Sequence, residues 1–530
     1  MSVEAAPPQP RTSMEMFEYR RLYDPQAVLL LTPDGVGRTY AELAERVECL
    51  AIELYRRGVR QGDIVGLYLG NEPNWVVAVL ACWRCGCTFA ACGSVSPTAE
   101  AERRFAVVQP RLVLTYEGAE LGSSWPVVAL TSEGDVLDAG GAQPSTGDVP
   151  LDPVDLDPSD MAAIFFTSGT VGEAKATLHT HDRLVGNARA TAAAYAGTAN
   201  FRPRVRPAER PPSVSFSPFG HLAAVGRLIF RIYVGRSLLI VPRFDVSVLS
   251  QLAKRYPLDT LQLAPAMVHA LAYTPEAIDL GSLRYVTSGT APLPVATRNA
   301  FEERYGVPVL QAYGSTEGAV TARERYDDVR AGRRGPGSVG RVDEDCPVRI
   351  VDPKGKDVAL GQDGEIIGRP DLSRTSRYFA AGGESSLPVD PEGWYHTGDV
   401  GHFDENGILY ITGRIKEMFV VGGFNVFPAE IEDALRASPL VSDAVVVSVA
   451  DDRLGEVPVA GIVWRETTCR SSAFERSIAQ LATELREQLA PYKVPRHWLT
   501  LTAVPLNGNG KVDRKEVASI AAVNITKEPS

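Results

Sequence analysis

Short apolar runs alternate with helical stripes along much of this chain, and that alternation limits the fold more than any other feature. From Tyr40 to Arg57, apolar residues fall at Leu43, Val47, Leu50, Ala51 and Leu54, the spacing of one helix face. Gly58, Gly62 and Asp63 end the stripe, and Ile64 to Leu69 reads as a short buried strand. Trp75 to Trp83 reads as a buried helix, and Ala106 to Leu114 ends in another strand. The middle repeats the style, with strands at Ser237 to Val241, Thr260 to Leu263 and Leu283 to Thr287. Strands separated by helices predict an α/β fold of parallel sheets covered by helices.

The chain has 530 residues, 45% hydrophobic and 22% charged, which excludes a mainly disordered polypeptide. Its net charge of −11 argues against nucleic acid as a partner, because phosphate neutralisation needs a basic face. Seven cysteines are too few for a disulfide scaffold and predict reduced thiols in a cytoplasmic protein. Cys82, Cys85 and Cys87 resemble a metal knuckle, but no second pair is spaced to complete a tetrahedral site. They read as structural cysteines. The first residues show no secretory signal, and the run Trp75 to Trp83 is far short of the ~20 residues that span a bilayer. No membrane partner is expected.

After about residue 415 the pattern changes. Pro428 opens a short helix over Ala429 to Arg436, Ala444 to Val449 and Pro458 to Trp464 read as strands, and Phe474 to Leu489 as a longer helix. These make a small α+β domain, with a tail frayed from about Ser519. Asn200 to Ser213 and Asp371 to Val389 read as loops, and His179 and His181 as surface or packing histidines.

Four segments carry candidate chemistry. Phe165 to Ala176, FFTSGTVGEAKA, sets small hydroxyls, glycines and Lys175 after an apolar run. That composition lets backbone N–H groups approach an anion, though alone it reads nearly as well as a turn between strands. In Gln311 to Gly318, QAYGSTEG, Tyr313 could stack on a base, Thr316 bond a phosphate and Glu317 hold Mg²⁺. A turn with a capping Thr is the plainer alternative. Asp399, in a His-Thr-Gly-Asp turn, either accepts from two ribose hydroxyls or caps its turn. Arg414 follows 15 residues on, after a strand, and Lys511 stands in the Gly/Asn loop PLNGNGKVDR, where solvated lysine is the simpler reading.

Together these segments resemble the adenylate-forming superfamily of acyl- and aryl-CoA ligases, peptide-synthetase adenylation domains and firefly luciferase. The likeness runs from Tyr40 to Arg514 with the motifs in the family's order. It implies a large N-terminal part, residues 1–415, of two α/β subdomains plus a β-rich one. A small mobile C-terminal domain, residues 416–530, carries the catalytic lysine. It implies that a carboxylate attacks the α-phosphate of ATP, and that a thiol then displaces AMP from the acyl-adenylate.

By the resemblance, Thr167, Ser168, Gly169, Thr170 and Lys175 hold the β- and γ-phosphates. Gly289, Thr290 and Ala291, with Tyr313 and Gly314, sandwich the adenine. Thr316 bonds the α-phosphate, Glu317 binds Mg²⁺, and Asp399 holds the ribose with Arg414 nearby. Lys511 bridges the attacking carboxylate and the α-phosphate, where negative charge builds up. Lys416 matches the hinge, and Gly422 and Gly423 let a pantetheine arm pass close to the backbone. The phosphate loop departs from the family with Val171 for Thr, Ala174 for Pro and Ala176 for Gly, which implies a weaker phosphate grip.

The acyl pocket of the resemblance falls on Phe216 to Arg231, with His221 as the gating residue beside the acyl carboxylate. No acid lies between Phe216 and Arg236, so an α-amino acid substrate is disfavoured: its ammonium would be desolvated unpaired. Ala224, Gly226, Ser288, Gly289 and Gly314 suggest a slot for a flat ring, and Arg227 either faces a phenol or second carboxylate or is solvated. The expected substrate is an aromatic or aryl-propenoic acid. The expected thiol is CoA, with carrier-protein phosphopantetheine and a non-thiol nucleophile as alternatives. A monomer or homodimer is expected.

Overall fold

The predicted helix over Tyr40 to Arg57 runs Tyr40–Arg56 and begins where its sequence provides a cap. Thr39 accepts from the Glu42 amide, and the Glu42 carboxylate accepts from the Thr39 amide. Its stripe of Leu43, Val47, Leu50, Ala51 and Leu54 is buried. The computed structural model that shows this describes residues 9–94, 96–122, 124–137, 152, 154–167, 175–196, 211–314, 320–344, 346–370, 377–380, 383–385, 387–451, 453–465, 474–506 and 512–525.

Strand Ile64–Leu69 leads to helix Pro73–Arg84, in which every residue from Pro73 to Trp83 is buried. A helix apolar all round must be enclosed on every side. This one packs on helix Tyr40–Arg56 and on the sheet beside it. Cys82, Cys85 and Cys87 lie in that core, where burial pushes the Cys85 thiol up to about 12. Among the described residues no group of three His, Cys, Asp or Glu is arranged to hold a metal. No helix there is long and apolar enough to cross a membrane.

Eight strands form the first large sheet, in the order Gly383–Ser385, Arg377–Ala380, Lys175–Thr180, Met161–Thr167, Thr88–Gly93, Ile64–Leu69, Leu112–Tyr116 and Val127–Leu130. From Met161–Thr167 onward the pairs are parallel; before it they are antiparallel. Two expectations need correction here. The stretch read as a loop over Asp371 to Val389 contributes the two outermost strands. These strands are too short for their pattern to show among the surrounding Gly and Ser residues. His179 and His181 are both buried, so the surface half of their reading falls away.

A second sheet of nine strands starts with the parallel strands Thr260–Leu263, Tyr285–Ser288 and Val309–Gly314. It continues antiparallel through Thr321–Arg323, Ser338–Val342, Leu409–Arg414, Tyr395–Phe403, Gly364–Gly368 and Val348–Val351. Strands Gly37–Thr39, Val28–Leu31, Leu238–Ile240 and Ser213–Ser215 form a small third sheet.

The smaller C-terminal domain has its own sheet, in which Phe424–Val426, Phe419–Val421, Gly455–Trp464 and Val441–Asp451 are neighbours and His497–Thr500 pairs parallel with Gly455–Trp464. Helices Pro428–Arg436 and Phe474–Gln488 cover one face, burying Ile431, Leu435, Leu481 and Leu485. The frayed tail is also corrected: helix Arg514–Ile525 buries Val517 and Ala521 against Val445, Val447 and Leu499 on the other face. Two apolar contacts one turn apart make too thin a stripe to stand out in sequence. Helix Pro428–Arg436 also packs on strand Leu409–Arg414 and on helix Val295–Tyr305 of the large domain.

Candidate active site

His221 sits in a loop held at the carboxyl ends of two parallel strands, Ile64–Leu69 and Thr88–Gly93. Asn71, just past the first, donates from Nδ2 to the Ser217 carbonyl (3.1 Å) and accepts at Oδ1 from the Phe219 amide (2.8 Å). The Phe219 ring stacks on Trp75 at 5.1 Å. Gly220 lies flat on the second strand end: a Cβ there would come within 2.5 Å of the Gly93 nitrogen. The loop is thus clamped from both strands, and His221 stands exposed as the N-cap of helix Leu222–Val234. The crevice beyond strand carboxyl ends is where open α/β sheets bind ligands. Sequence reasoning missed Asn71, Gly93 and Gly220; only the Gly before His221 signalled a close approach.

The second sheet brings three other candidates together. Asp399, on Tyr395–Phe403, is in register with Arg414 on Leu409–Arg414. Its Oδ1 accepts from Arg414 Nε and its Oδ2 from the Tyr313 hydroxyl, each at 2.6 Å. Tyr313 belongs to Val309–Gly314, with three strands between it and Asp399 in the sheet order, so the sheet must curl to make the contact. Thr397 Oγ1 accepts from the Asp399 amide at 3.0 Å and braces the turn. Asp399 is 5% exposed. Burial, then the neighbouring Asp399 charge, holds the Tyr313 hydroxyl far above the ordinary phenol value. Burial also works against the Arg414 charge, but Asp399 outweighs it and raises the guanidinium above its usual value.

Gly289 joins this group, because a Cβ on it would approach the Ala312 carbonyl at 3.0 Å, one residue from Tyr313. Thr290 and Ala291 follow, both exposed. Thr290 has φ +73°, a left-handed conformation that a β-branched residue adopts only under constraint. Gly314, the last residue of its strand, is exposed. It faces Thr321 across the hairpin whose connection holds Thr316 and Glu317, both outside the described residues.

On helix Leu222–Val234, Ala224 is buried, and a Cβ at Gly226 would reach Asn187 Nδ2 at 3.4 Å. Arg227 is buried rather than solvated. It donates from Nη1 to Ser213 Oγ (2.9 Å) and from Nε to Gln262 Oε1. Ser288 is in register with Leu263, one residue past Gln262. Strand alternation therefore puts the Ser288 and Gln262 side chains on opposite faces of the sheet. The Ser288 hydroxyl is buried without a partner among the described residues.

Of the phosphate loop, Thr167 ends strand Met161–Thr167 and pairs with Lys175, so the two mark the mouth of a hairpin. The Lys175 ammonium lies 5.2 Å from the centre of the Tyr378 ring, on a strand that sequence reasoning read as loop. Ser168, Gly169 and Thr170 lie outside the described residues, as does Lys511. The ends of the Lys511 loop are pinned, by a bridge between Leu506 and Val512 and by the Asp513 amide donating to the Pro505 carbonyl at 2.8 Å. Lys416 lies in the 3₁₀ turn Ile415–Glu417. Gly422 and Gly423, at φ +57° and +90°, form the two-residue turn joining Phe419–Val421 to Phe424–Val426. Such a turn by itself requires glycine-like residues.

Known proteins resemble this chain over most of its length. The AMP-binding enzyme family matches residues 19–375, and the AMP-binding enzyme C-terminal domain matches residues 430–511. The 4-coumarate–CoA ligase-like 9 of Arabidopsis thaliana is 29% identical, over 93% of this chain and 86% of its own length. Indoleacetate–CoA ligase of Aromatoleum aromaticum is 30% identical, over 91% of this chain and 93% of its own. ATP-bound MatB from Rhodopseudomonas palustris superposes with a TM-score of 0.80 at 25% identity, covering 95% of this chain and 98% of that one. The amide bond synthetase McbA from Marinactinospora thermotolerans shares the fold, with a TM-score of 0.78 at 24% identity over 96% of this chain and 99% of its own. With the motifs in order along the sequence and both family domains matched, the chain belongs to the AMP-binding enzymes of the adenylate-forming superfamily.

Proposed function

We propose that this protein joins a carboxylic acid to the thiol of CoA through an acyl-adenylate. One observation carries the reading: Tyr313 and Arg414 meet on the buried Asp399 carboxylate, and the exposed loop at Gly289 to Ala291 begins against Ala312, the neighbour of Tyr313. Asp399 would accept from the ribose hydroxyls, its position already held by Tyr313 and Arg414. The exposed loop Gly289 to Ala291 would lie on the adenine. Thr167, Ser168, Gly169, Thr170 and Lys175 would receive the β- and γ-phosphates, and Thr316 the α-phosphate.

The chemistry is the approach of two anions. A substrate carboxylate oxygen bonds to the α-phosphorus as the bond to pyrophosphate breaks. Lys511 would lower the repulsion between them and hold both in line. A single carboxylate completed by phosphate oxygens is a donor set that suits Mg²⁺, and Glu317 would supply it. Bound there, the ion would neutralise phosphate charge. In the second step the CoA sulfur bonds to the acyl carbon and AMP leaves. Residues 416–530 would act as the mobile domain, turning about Lys416, with the pantetheine arm passing Gly422 and Gly423. The aryl-acid class draws support from relatives named for indoleacetate and 4-coumarate. The likeness to an amide bond synthetase supports an amine as the alternative acceptor.

The test is acid-dependent exchange of pyrophosphate into ATP across a panel of aryl acids. Lys511→Ala is expected to lower exchange at least ~10²-fold, the scale of losing one charge-stabilising donor. Undiminished exchange would remove Lys511 from its role, and no exchange with any acid would end the reading. Product mass with CoA or with an amine separates the two acceptors.

A further inference from the structure

Helix Leu222–Val234 carries two arginines one turn apart, Arg227 and Arg231, which are 8% and 3% exposed. The two bonds from Arg227 go to a serine hydroxyl and a glutamine carbonyl, both neutral. Arg231 lies 4.7 Å from the centre of the Phe230 ring, and its Nε has no hydrogen-bond partner among the described residues. The nearby carboxylate, Asp259, is already taken, since both its oxygens accept from Arg236 at 2.8 and 2.9 Å. The other polar groups are donors too. Tyr285 spends its hydroxyl on the Tyr195 carbonyl at 3.0 Å, and the Tyr195 hydroxyl is buried without a partner among the described residues. Among the described residues, three guanidiniums thus share the neighbourhood of one carboxylate, and two of the three, Arg227 and Arg231, are buried.

A guanidinium stays charged under all ordinary conditions, and a buried charge without a counter-ion is costly. Chains keep such a charge as a brace between elements or as a receiver for an anion. Bracing accounts for the two neutral bonds of Arg227 but not for Arg231, whose Nε has no hydrogen-bond partner among the described residues. Position favours a receiver. Arg227 lies six residues past His221 on one helix, about 9 Å along it at ~1.5 Å per residue. Gln262, which accepts from Arg227, is in register with Thr287, two residues before Gly289. The cations therefore lie at the far end of the region where the acyl group of the proposed reaction would sit.

We propose that Arg227, with Arg231 behind it, receives a second carboxylate on the substrate, so that the acid activated is a dicarboxylic acid. The inference rests on the acyl-activating reading and deepens it. The far carboxylate would replace the neutral acceptors now on Arg227 with a charged one. It would sit roughly one aryl-propenoic length from the carboxylate that is adenylated.

The experiment compares cinnamate with 4-carboxycinnamate on the full-length protein, by two readouts. The first is kcat/KM for pyrophosphate exchange; the second is the shift of melting temperature by each acid without ATP. The expected ratio of diacid to monoacid kcat/KM is at least ~10, as for a site whose buried polar groups are left unpaired by the poorer substrate. Arg227→Gln should bring that ratio near one, and Arg227→Lys should restore part of it. A purely structural role would lower exchange with both acids and leave the ratio unchanged. A wild-type ratio at or below one, or a ratio that survives Arg227→Gln, overturns the proposal. Absence of exchange with either acid, with the diacid still stabilising the wild type more than the monoacid, would sink the acyl-activating reading and uphold the anion site. Absence of both exchange and selective stabilisation would sink both.

Discussion

Asp399 receives two donors from different strands, so its carboxylate has a defined orientation before any ligand arrives. Arg414, with its side chain 56% exposed, bonds Asp399 from the rim, whereas Tyr313 bonds it from within. Removing the charge should matter more than removing one neighbour. Asp399→Asn is expected to raise the KM for ATP ~10- to 100-fold in pyrophosphate exchange, the scale of a charge-assisted bond of ~1.5–3 kcal/mol. Tyr313→Phe should raise it less than tenfold. Thr290 makes a different case. Its left-handed backbone stores strain of ~1–3 kcal/mol, which Thr290→Gly would release while loosening the unfolded chain. The net expectation is a protein more stable by about 1 kcal/mol in urea melts. The same change should weaken ATP use, because the loop loses its fixed shape. A destabilised Thr290→Gly protein would refute strain at this position.

At the scale of elements, the helix bearing the acyl-side residues is anchored by one far upstream. Arg20, in helix Ser13–Tyr23, donates to the Ile232 and Tyr233 carbonyls at the end of helix Leu222–Val234, at 3.0 Å each. The first helix is itself docked at its start, where the Ser13 amide donates to His181 Nδ1 at 3.4 Å. That nitrogen must be unprotonated to accept. Burial pulls the His181 pKa from 6.5 down to about 4, and burial likewise pulls the His179 pKa well below its ordinary value. Between those limits the unfolded chain takes up a proton that the folded one does not. Stability attached to His181 is therefore full above pH 6.5 and is lost as pH falls toward 4, at ~1.4 kcal/mol per pH unit. Urea midpoints measured between pH 7 and 5 should fall steeply, and His181→Asn should flatten the slope. An unchanged slope would show that His181 does not titrate in this way.

Across the whole molecule, helix Pro428–Arg436 is one element that joins the two domains, through strand Leu409–Arg414 and helix Val295–Tyr305. The Arg465 guanidinium, itself donating to the Pro439 and Val441 carbonyls, lies 4.8 Å from the centre of the Tyr273 ring. An exposed cation–ring contact contributes about 0.5–1 kcal/mol, a factor of ~2–5 in an equilibrium. Tyr273→Leu keeps an apolar side chain but removes the ring face. It is expected to speed tryptic cleavage after Arg414 or Lys416 by ~2–5-fold while leaving the global urea midpoint nearly unmoved. Equal cleavage rates would mean that this contact does not hold the domains together.

Periodicity and motif order determined much by themselves. The strand Ile64–Leu69 and the helices Tyr40–Arg56 and Pro428–Arg436 were legible, because each depends on neighbours a few positions away. The strand Arg377–Ala380 was not, because its partner Lys175–Thr180 lies some two hundred residues upstream. Nor was the Asn71 clamp on the His221 loop, nor the contact of Tyr313 with Asp399, which needs a curled sheet. The burial of Arg227 among neutral acceptors belongs to the same class. A pattern along the chain records which face of an element is apolar; which polar groups meet, and which charges lack a partner, depends on how distant elements pack in space.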